Sequence, residues 1–209
     1  MADSPEFRID SIAELEALYD TPPVPNSVSK VLDRVNAEYQ RFIEASPFFA
    51  LATIGLDGMD CSPRGDAGTA VSIVDPSTVH IPDRRGNNRL DSLRNIVSDG
   101  RVALLFLVPG VTECLRINGT AILSNNPELC ARYAVAGNEP RSVIVVTVDS
   151  VYFQCARAIK RSELWNPERH IDPATVPTAG QMTKAASPGY FDAETYDAEL
   201  ADRQTKTLY

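Results

Sequence analysis

The apolar positions change period twice along the chain. From Val28 to Ile43 they recur at helical spacing, at Val28, Val31, Leu32, Val35, Tyr39, Phe42 and Ile43, which predicts one long amphipathic helix. Upstream, Ser11 with Glu14 three residues on, followed by Leu15 and Leu18, predicts a short capped helix that stops before Pro22 and Pro23. From Phe48 the period shortens. The run Phe48 to Gly55 is compact and apolar, and Asp57-Gly58 after it is a hairpin signal, so it pairs with Asp60 to Arg64. Ala70 to Val74 and Thr78 to Ile81 form a second hairpin that turns at Asp75-Pro76-Ser77.

Helical spacing returns briefly at Leu90, Leu93, Ile96 and Val97 and ends at Asp99-Gly100. Arg101 to Val108 is too continuously apolar for an edge and reads as a central strand, with Cys114 to Leu123 following the Pro109-Gly110 turn. Asn126-Pro127-Glu128 is a cap, a first-position proline and a first-turn acid, which starts a helix running to about residue 136. Ser142 to Val148 and Val151 to Ala156 are the last strand signals. Beyond Trp165 the chain is proline-rich and polar, with a final helix from about Ala193 to Thr205. Six or seven strands with short helices and no regular strand–helix alternation predict an antiparallel barrel or α+β sheet.

At 209 residues and 44% hydrophobic, the chain suits one core with appended helices. No segment approaches the roughly 20 apolar residues of a membrane span, and the first ten residues are acidic and polar, so a soluble, cytoplasmic protein is expected. Cys61, Cys114, Cys130 and Cys155 lie far apart with no histidine at metal spacing, which indicates neither a zinc site nor a disulfide framework. A net charge of -8 argues against a broad nucleic-acid surface. Arginine is nevertheless concentrated at Arg84, Arg85, Arg89, Arg94 and Arg101, and an acidic chain that gathers arginine in one place has the means to hold a small anion there.

The stretch from Ile81 to Leu90 (IPDRRGNNRL) leaves a strand, turns through glycine and enters a helix, the arrangement in which backbone N–H groups, the helix dipole and guanidinium forks converge on a phosphate. A solvated turn is the competing reading. Arg64, between Pro63 and Gly65, either reaches a ligand across the sheet or pairs with Asp66. Arg116 lies among apolar neighbours in a strand, facing solvent or lining a polar pocket. Cys155 reads as a buried strand cysteine, and His80 and His170 as structural or surface residues.

Four blocks in order carry a resemblance: FFALATIGLDGMDCSPRGD, IPDRRGNNRLDSLRNI, VALLFLVPGVTECLRINGTA and CARAIKRSELW. Together they resemble the pyridoxamine 5'-phosphate oxidase-related flavoproteins over about residues 28–167. The resemblance implies a mainly β, six-stranded antiparallel FMN-binding split barrel with flanking helices at 28–167, between a helical extension at 1–27 and a polar, partly helical tail at 168–209. It implies a homodimer with FMN at the subunit interface and FMN-dependent oxidoreductase activity on a small substrate, with no protein nucleophile required. Ser62 and Arg64 then lie on the strand beneath the flavin, and Ile81, Pro82 and Asp83 offer main-chain groups. Asn88 and Arg89 occupy the place of a phosphate-binding Arg-Lys pair in the oxidases, a departure for which Arg85 or Arg84 compensates. Arg116 comes near the ring, and Trp165 of the partner chain closes the cleft. The same fold also serves non-catalytic flavin or haem binders and deazaflavin-dependent reductases. Oxidation of pyridoxamine phosphate itself is disfavoured, because Ser187 to Tyr209 is acidic where a second phosphate site needs basic residues.

Overall fold

The computed structural model describes residues 7–19, 21–86 and 88–209. The chain divides into two compact units, Met1–Val31 and Leu32–Tyr209. In the first, α1 (Ile12–Leu18) starts as its sequence predicts. The Ser11 side chain accepts the Glu14 amide at 3.2 Å, and the Glu14 carboxylate accepts the Asp10 amide at 2.9 Å. A second short helix, α2 (Pro25–Ser29), opens on a proline whose missing N–H has no helical partner to lose.

The helix expected to run unbroken from Val28 to Ile43 does not form. Leu32 instead exchanges two backbone hydrogen bonds with Val151, of 3.0 and 2.8 Å. Asn36 then caps a new helix, α3 (Ala37–Glu44), by accepting the Tyr39 amide at 2.8 Å. An asparagine that offers the backbone a local partner breaks a helical pattern that apolar spacing alone cannot distinguish from a continuous one.

Seven strands form one antiparallel sheet: β1 (Phe48–Gly55), β2 (Gly58–Gly65), β3 (Ser72–Asp75), β4 (Thr78–Pro82), β5 (Arg101–Leu107), β6 (Cys114–Ser124) and β7 (Val143–Gln154). Their order is β2-β1-β5-β6-β7-β4-β3. The expected six-stranded barrel is therefore a seven-stranded sheet, and among the described residues no ladder joins β2 to β3 to close it. The two segments expected at the end of the sheet are one strand. Register steps from Asn118↔Ser150 to Gly119↔Val148, so Asp149 is an extra residue accommodated as a bulge. Opposite the bulge the backbones approach so closely that a Cβ on Gly119 would overlap the Thr147 carbonyl oxygen.

Alternation along the strands assigns the two faces. Rows that run Arg64–Phe49–Phe106–Leu115 and Ser62–Leu51–Leu104–Ile117 point inward, and Phe49, Leu51, Leu104, Phe106, Leu115 and Ile117 are almost fully buried. The Phe49 and Phe106 rings pack at 5.2 Å between centroids. The row Pro63–Ala50–Leu105–Arg116–Tyr152 points the other way.

Helix α4 (Asp91–Ser98) covers the inner side of β1 and β2 with Ser92 and Ile96 buried. Asn95 donates to the buried Thr53 hydroxyl at 3.1 Å, and a Cβ on Gly55 would overlap the Asn95 side chain, so glycine is what lets the helix approach. The remaining helices are α5 (Pro127–Arg132), α6 (Arg157–Ser162), α7 (Ala179–Ala186) and α8 (Ala193–Lys206). Thr178 and Gln181 form a capping box on α7, and the Gly180 amide donates to Asp197 of α8 at 2.7 Å. The region after Trp165 is thus more helical than its proline content suggests. Among the described residues no helix is long and apolar enough to cross a membrane.

Candidate functional site

The segment from β4 to α4 carries the arginines, and its backbone is irregular. Asn88 and Leu90 both have positive φ, 59° and 64°, and Leu90 precedes α4 without any side-chain cap. Asparagine tolerates that region, whereas leucine there costs roughly 1–2 kcal/mol. The segment borders two neighbouring clefts of about 430 Å³ each. The first lies against Asn138 to Arg141 and Tyr209, the second against β2 and the start of α4.

The arginines of the cluster have separate fates. Arg84 is locked into the fold: Nε reaches Asp66 Oδ2 at 2.7 Å and Nη1 donates to the Tyr133 carbonyl at 2.6 Å. Tyr209 donates to the other Asp66 oxygen at 2.7 Å, and the hydrogen bonds from Tyr209 and Arg84 outweigh burial to hold the Asp66 carboxyl below the usual range. Arg89 is largely exposed and pairs with Asp91 at 2.7 Å, and Arg101 pairs with Asp99 at 2.6 Å. Arg85 is exposed, as is Arg141, which the sequence reading missed. Both line the first cleft, and neither forms an ion pair or hydrogen bond among the described residues.

Arg64 points inward from β2, pairing with Asp83 and not with Asp66. Its Nη1 lies 3.2 Å from Asp83 Oδ1, and the two side chains are only 24% and 18% exposed. Burial raises the Asp83 pKa; the Arg64 and Arg141 charges oppose that shift. Among the described residues, Arg64 Nε is buried without a hydrogen-bond partner. An unsatisfied buried N–H costs about 1–3 kcal/mol, so its persistence calls for an explanation.

On the same inner side of the sheet, the Ser62 and Ser92 hydroxyl oxygens lie 2.9 Å apart, and Ser92 donates to Asp60 Oδ2 at 2.7 Å. Asp60 and Ser92 also escaped sequence reasoning. One is a polar residue in a hairpin strand and the other sits in the first turn of a helix, and only the register Asp60↔Thr53 with α4 laid across it brings them together.

The second cleft gathers Ser62, Arg64, Asp83, Asn88 and Arg89, and a smaller adjoining pocket adds Ile81, Pro82 and Arg85. The main chain at the end of β4 has little to donate, since Pro82 carries no N–H and that of Asp83 is committed to the Ser142 carbonyl at 3.0 Å. Arg116 and Trp165 border neither cleft. Arg116 faces the opposite side of the sheet, its guanidinium 5.3 Å from the Tyr152 ring centre, and Trp165 Nε1 donates to the Val111 carbonyl at 2.8 Å. Cys155 is exposed, not buried as expected, because β7 ends one residue before it. His80 is buried, with Nδ1 2.9 Å from the Tyr133 hydroxyl, and burial lowers its pKa. Among the described residues no cluster of His, Cys, Asp and Glu is suited to a metal ion.

An antiparallel sheet with helices on its flanks and an arginine-bordered cleft at its edge agrees with the sequence blocks. Residues 35–155, more than half of the chain, match the family model described as Pyridoxamine 5'-phosphate oxidase, and the chain belongs to that family. No curated protein matches it. It is similar in structure to HupZ of Group A Streptococcus, with 16% identity and a TM-score of 0.47 over 56% of this chain and 91% of that one. It is also similar to an F420 reductase, with 20% identity and a TM-score of 0.40 over 57% and 98% of the two chains. General Stress Protein 26 of Bacillus anthracis str. Sterne gives 13% identity and a TM-score of 0.42 over 55% and 88%.

Proposed function

We propose that this chain is a cytoplasmic FMN-dependent oxidoreductase that works as a homodimer and binds the flavin at the β2–α4 cleft. The observation that carries the reading is Arg64, whose buried Nε has no partner among the described residues. A ligand bound in the cleft that Arg64 borders would supply such an acceptor. A phosphorylated, hydrogen-bonding ligand such as FMN fits the donor set. Arg64, Arg85 and Asn88 supply charge and N–H groups to the phosphate, Arg89 adds charge at the rim, and Ser62 meets the body of the ligand. Asp83 holds Arg64 in place, and Ile81 and Pro82 form the apolar floor.

When bound, the flavin supplies hydride and electron transfer. The chain's own residues bind it, orient it and limit water around it.

The homodimer has its own support. The outer face of β1 and β5 presents Phe48, Ala50, Ala52, Ile54, Ala103, Leu105 and Leu107, an apolar surface that continues to Met59 on β2. Arg116 lies on this face and Arg64 on the other, so a ligand touched by both needs a second chain. Trp165 closes the cleft only under the same condition.

The test is reduction of FMN-loaded protein by NADH or NADPH without oxygen, followed by catalytic reoxidation on admitting oxygen or a small acceptor. Turnover supports the oxidoreductase. Stoichiometric FMN binding with no reduction by either donor would leave a flavin-binding protein instead.

A further inference from the structure

The hydrogen-bond order around Ser62 fixes what the β2–α4 cleft can recognise. Ser92 is buried, at 3% exposure, between two partners: Asp60 Oδ2 at 2.7 Å and the Ser62 hydroxyl at 2.9 Å. A serine hydroxyl has one proton and two lone pairs, and an ionised carboxylate only accepts. The single Ser92 proton goes to Asp60. The Ser62–Ser92 contact then requires the Ser62 proton, and Ser62 has only lone pairs left for the cleft it borders.

From this we infer that Ser62 is a specificity-determining residue that acts solely as a hydrogen-bond acceptor, with Asp60 and Ser92 as the positioning residues that impose that polarity. A bound molecule must place an N–H or O–H group against Ser62, and a carbonyl or an unprotonated ring nitrogen is rejected there. The inference rests on the cleft being the ligand site, as in the proposed function. For FMN it selects among the ligand's own groups: the imide N–H of the oxidised ring or a ribityl hydroxyl can face Ser62, whereas the ring carbonyls cannot.

Neutron diffraction from deuterium-exchanged, FMN-soaked crystals reads the proton positions directly. The expected map shows the Ser62 deuteron on the line to Ser92 Oγ, the Ser92 deuteron on the line to Asp60, and a ligand deuteron aimed at Ser62. A Ser62 deuteron aimed at the ligand would overturn the inference while leaving FMN in place. A map with the expected Ser62 and Ser92 deuterons but no FMN in the cleft would uphold the polarity and overturn the proposed cofactor. In solution, Ser62→Ala is expected to weaken FMN binding about two- to tenfold, the loss of one hydrogen bond, with a smaller fall in melting temperature than Ser92→Ala, which removes both buried contacts. Ser92→Ala should lower the melting temperature and change FMN affinity less than Ser62→Ala does. The reverse ranking would make the three residues a packing device only.

Discussion

Replacing Arg64 by lysine separates what this side chain does for the fold from what it does for a ligand. Among the described residues the buried Nε meets no acceptor, and a donor left unmet in that way costs about 1–3 kcal/mol of stability. Lysine removes that N–H and keeps a positive charge opposite Asp83, at the expense of some packing and of the 3.2 Å contact from Nη1. The net expectation is a gain of up to about 1 kcal/mol without ligand, a rise of roughly 2–4 °C in melting temperature for a chain of this size. Binding moves the other way. A charge-assisted hydrogen bond contributes about 1.5–3 kcal/mol, so its loss lowers FMN affinity about ten- to a hundredfold. Thermal unfolding of the free protein and a flavin-fluorescence titration give both numbers. A lysine variant that melts lower and binds FMN as tightly as the parent would refute the reasoning, since the orphaned donor would then serve neither purpose.

Other outcomes follow from the same geometry. Burial raises the Asp83 pKa in the folded state, so its contribution to stability is fully present below 3.8 and is lost as pH rises through the folded value. Asp83→Asn should therefore flatten the stability-against-pH curve in that acidic window, measured by denaturant unfolding. His80 has the opposite sign: its depressed pKa keeps stability above 6.5 and loses it as pH falls through the folded value. Tyr133→Phe removes its 2.9 Å partner and should cost about 1 kcal/mol by denaturant unfolding at pH 8. Gly119→Ala drives a Cβ into the Thr147 carbonyl and should destabilise the protein by about 3 kcal/mol or more, and a normal melting temperature would show that the bulge relaxes freely. Leu105→Glu, in the middle of the apolar outer face, should shift the mass measured by light scattering from that of the proposed homodimer to that of a monomer.

What the sequence made legible and what it hid have physical causes. The hairpin at Asp57-Gly58, the strand from Arg101 and the helix after the arginines were readable because turn chemistry and apolar period agree there. The break at Asn36 was hidden because Leu32 keeps the helical spacing while its backbone pairs with Val151. The bulge at Asp149 looked like a turn, since two polar residues interrupt the apolar run in both cases. For the candidate site, IPDRRGNNRL marks the segment that borders both clefts, but which of its arginines is left without an ion pair depends on partners distant in sequence. Asp66 claims Arg84 and Asp83 claims Arg64, and neither pairing is visible from spacing. Arg116 sat plausibly on a strand near the others until the register placed it on the opposite face.

The central claim is tested most directly by the visible spectrum of the purified protein, followed by FMN titration of any colourless fraction and mass identification of the released ligand. The account predicts a flavin spectrum with about one FMN per chain, and weaker binding in the Arg64 variant. A colourless protein that takes up no FMN, or one that releases a deazaflavin absorbing at shorter wavelength, would contradict it.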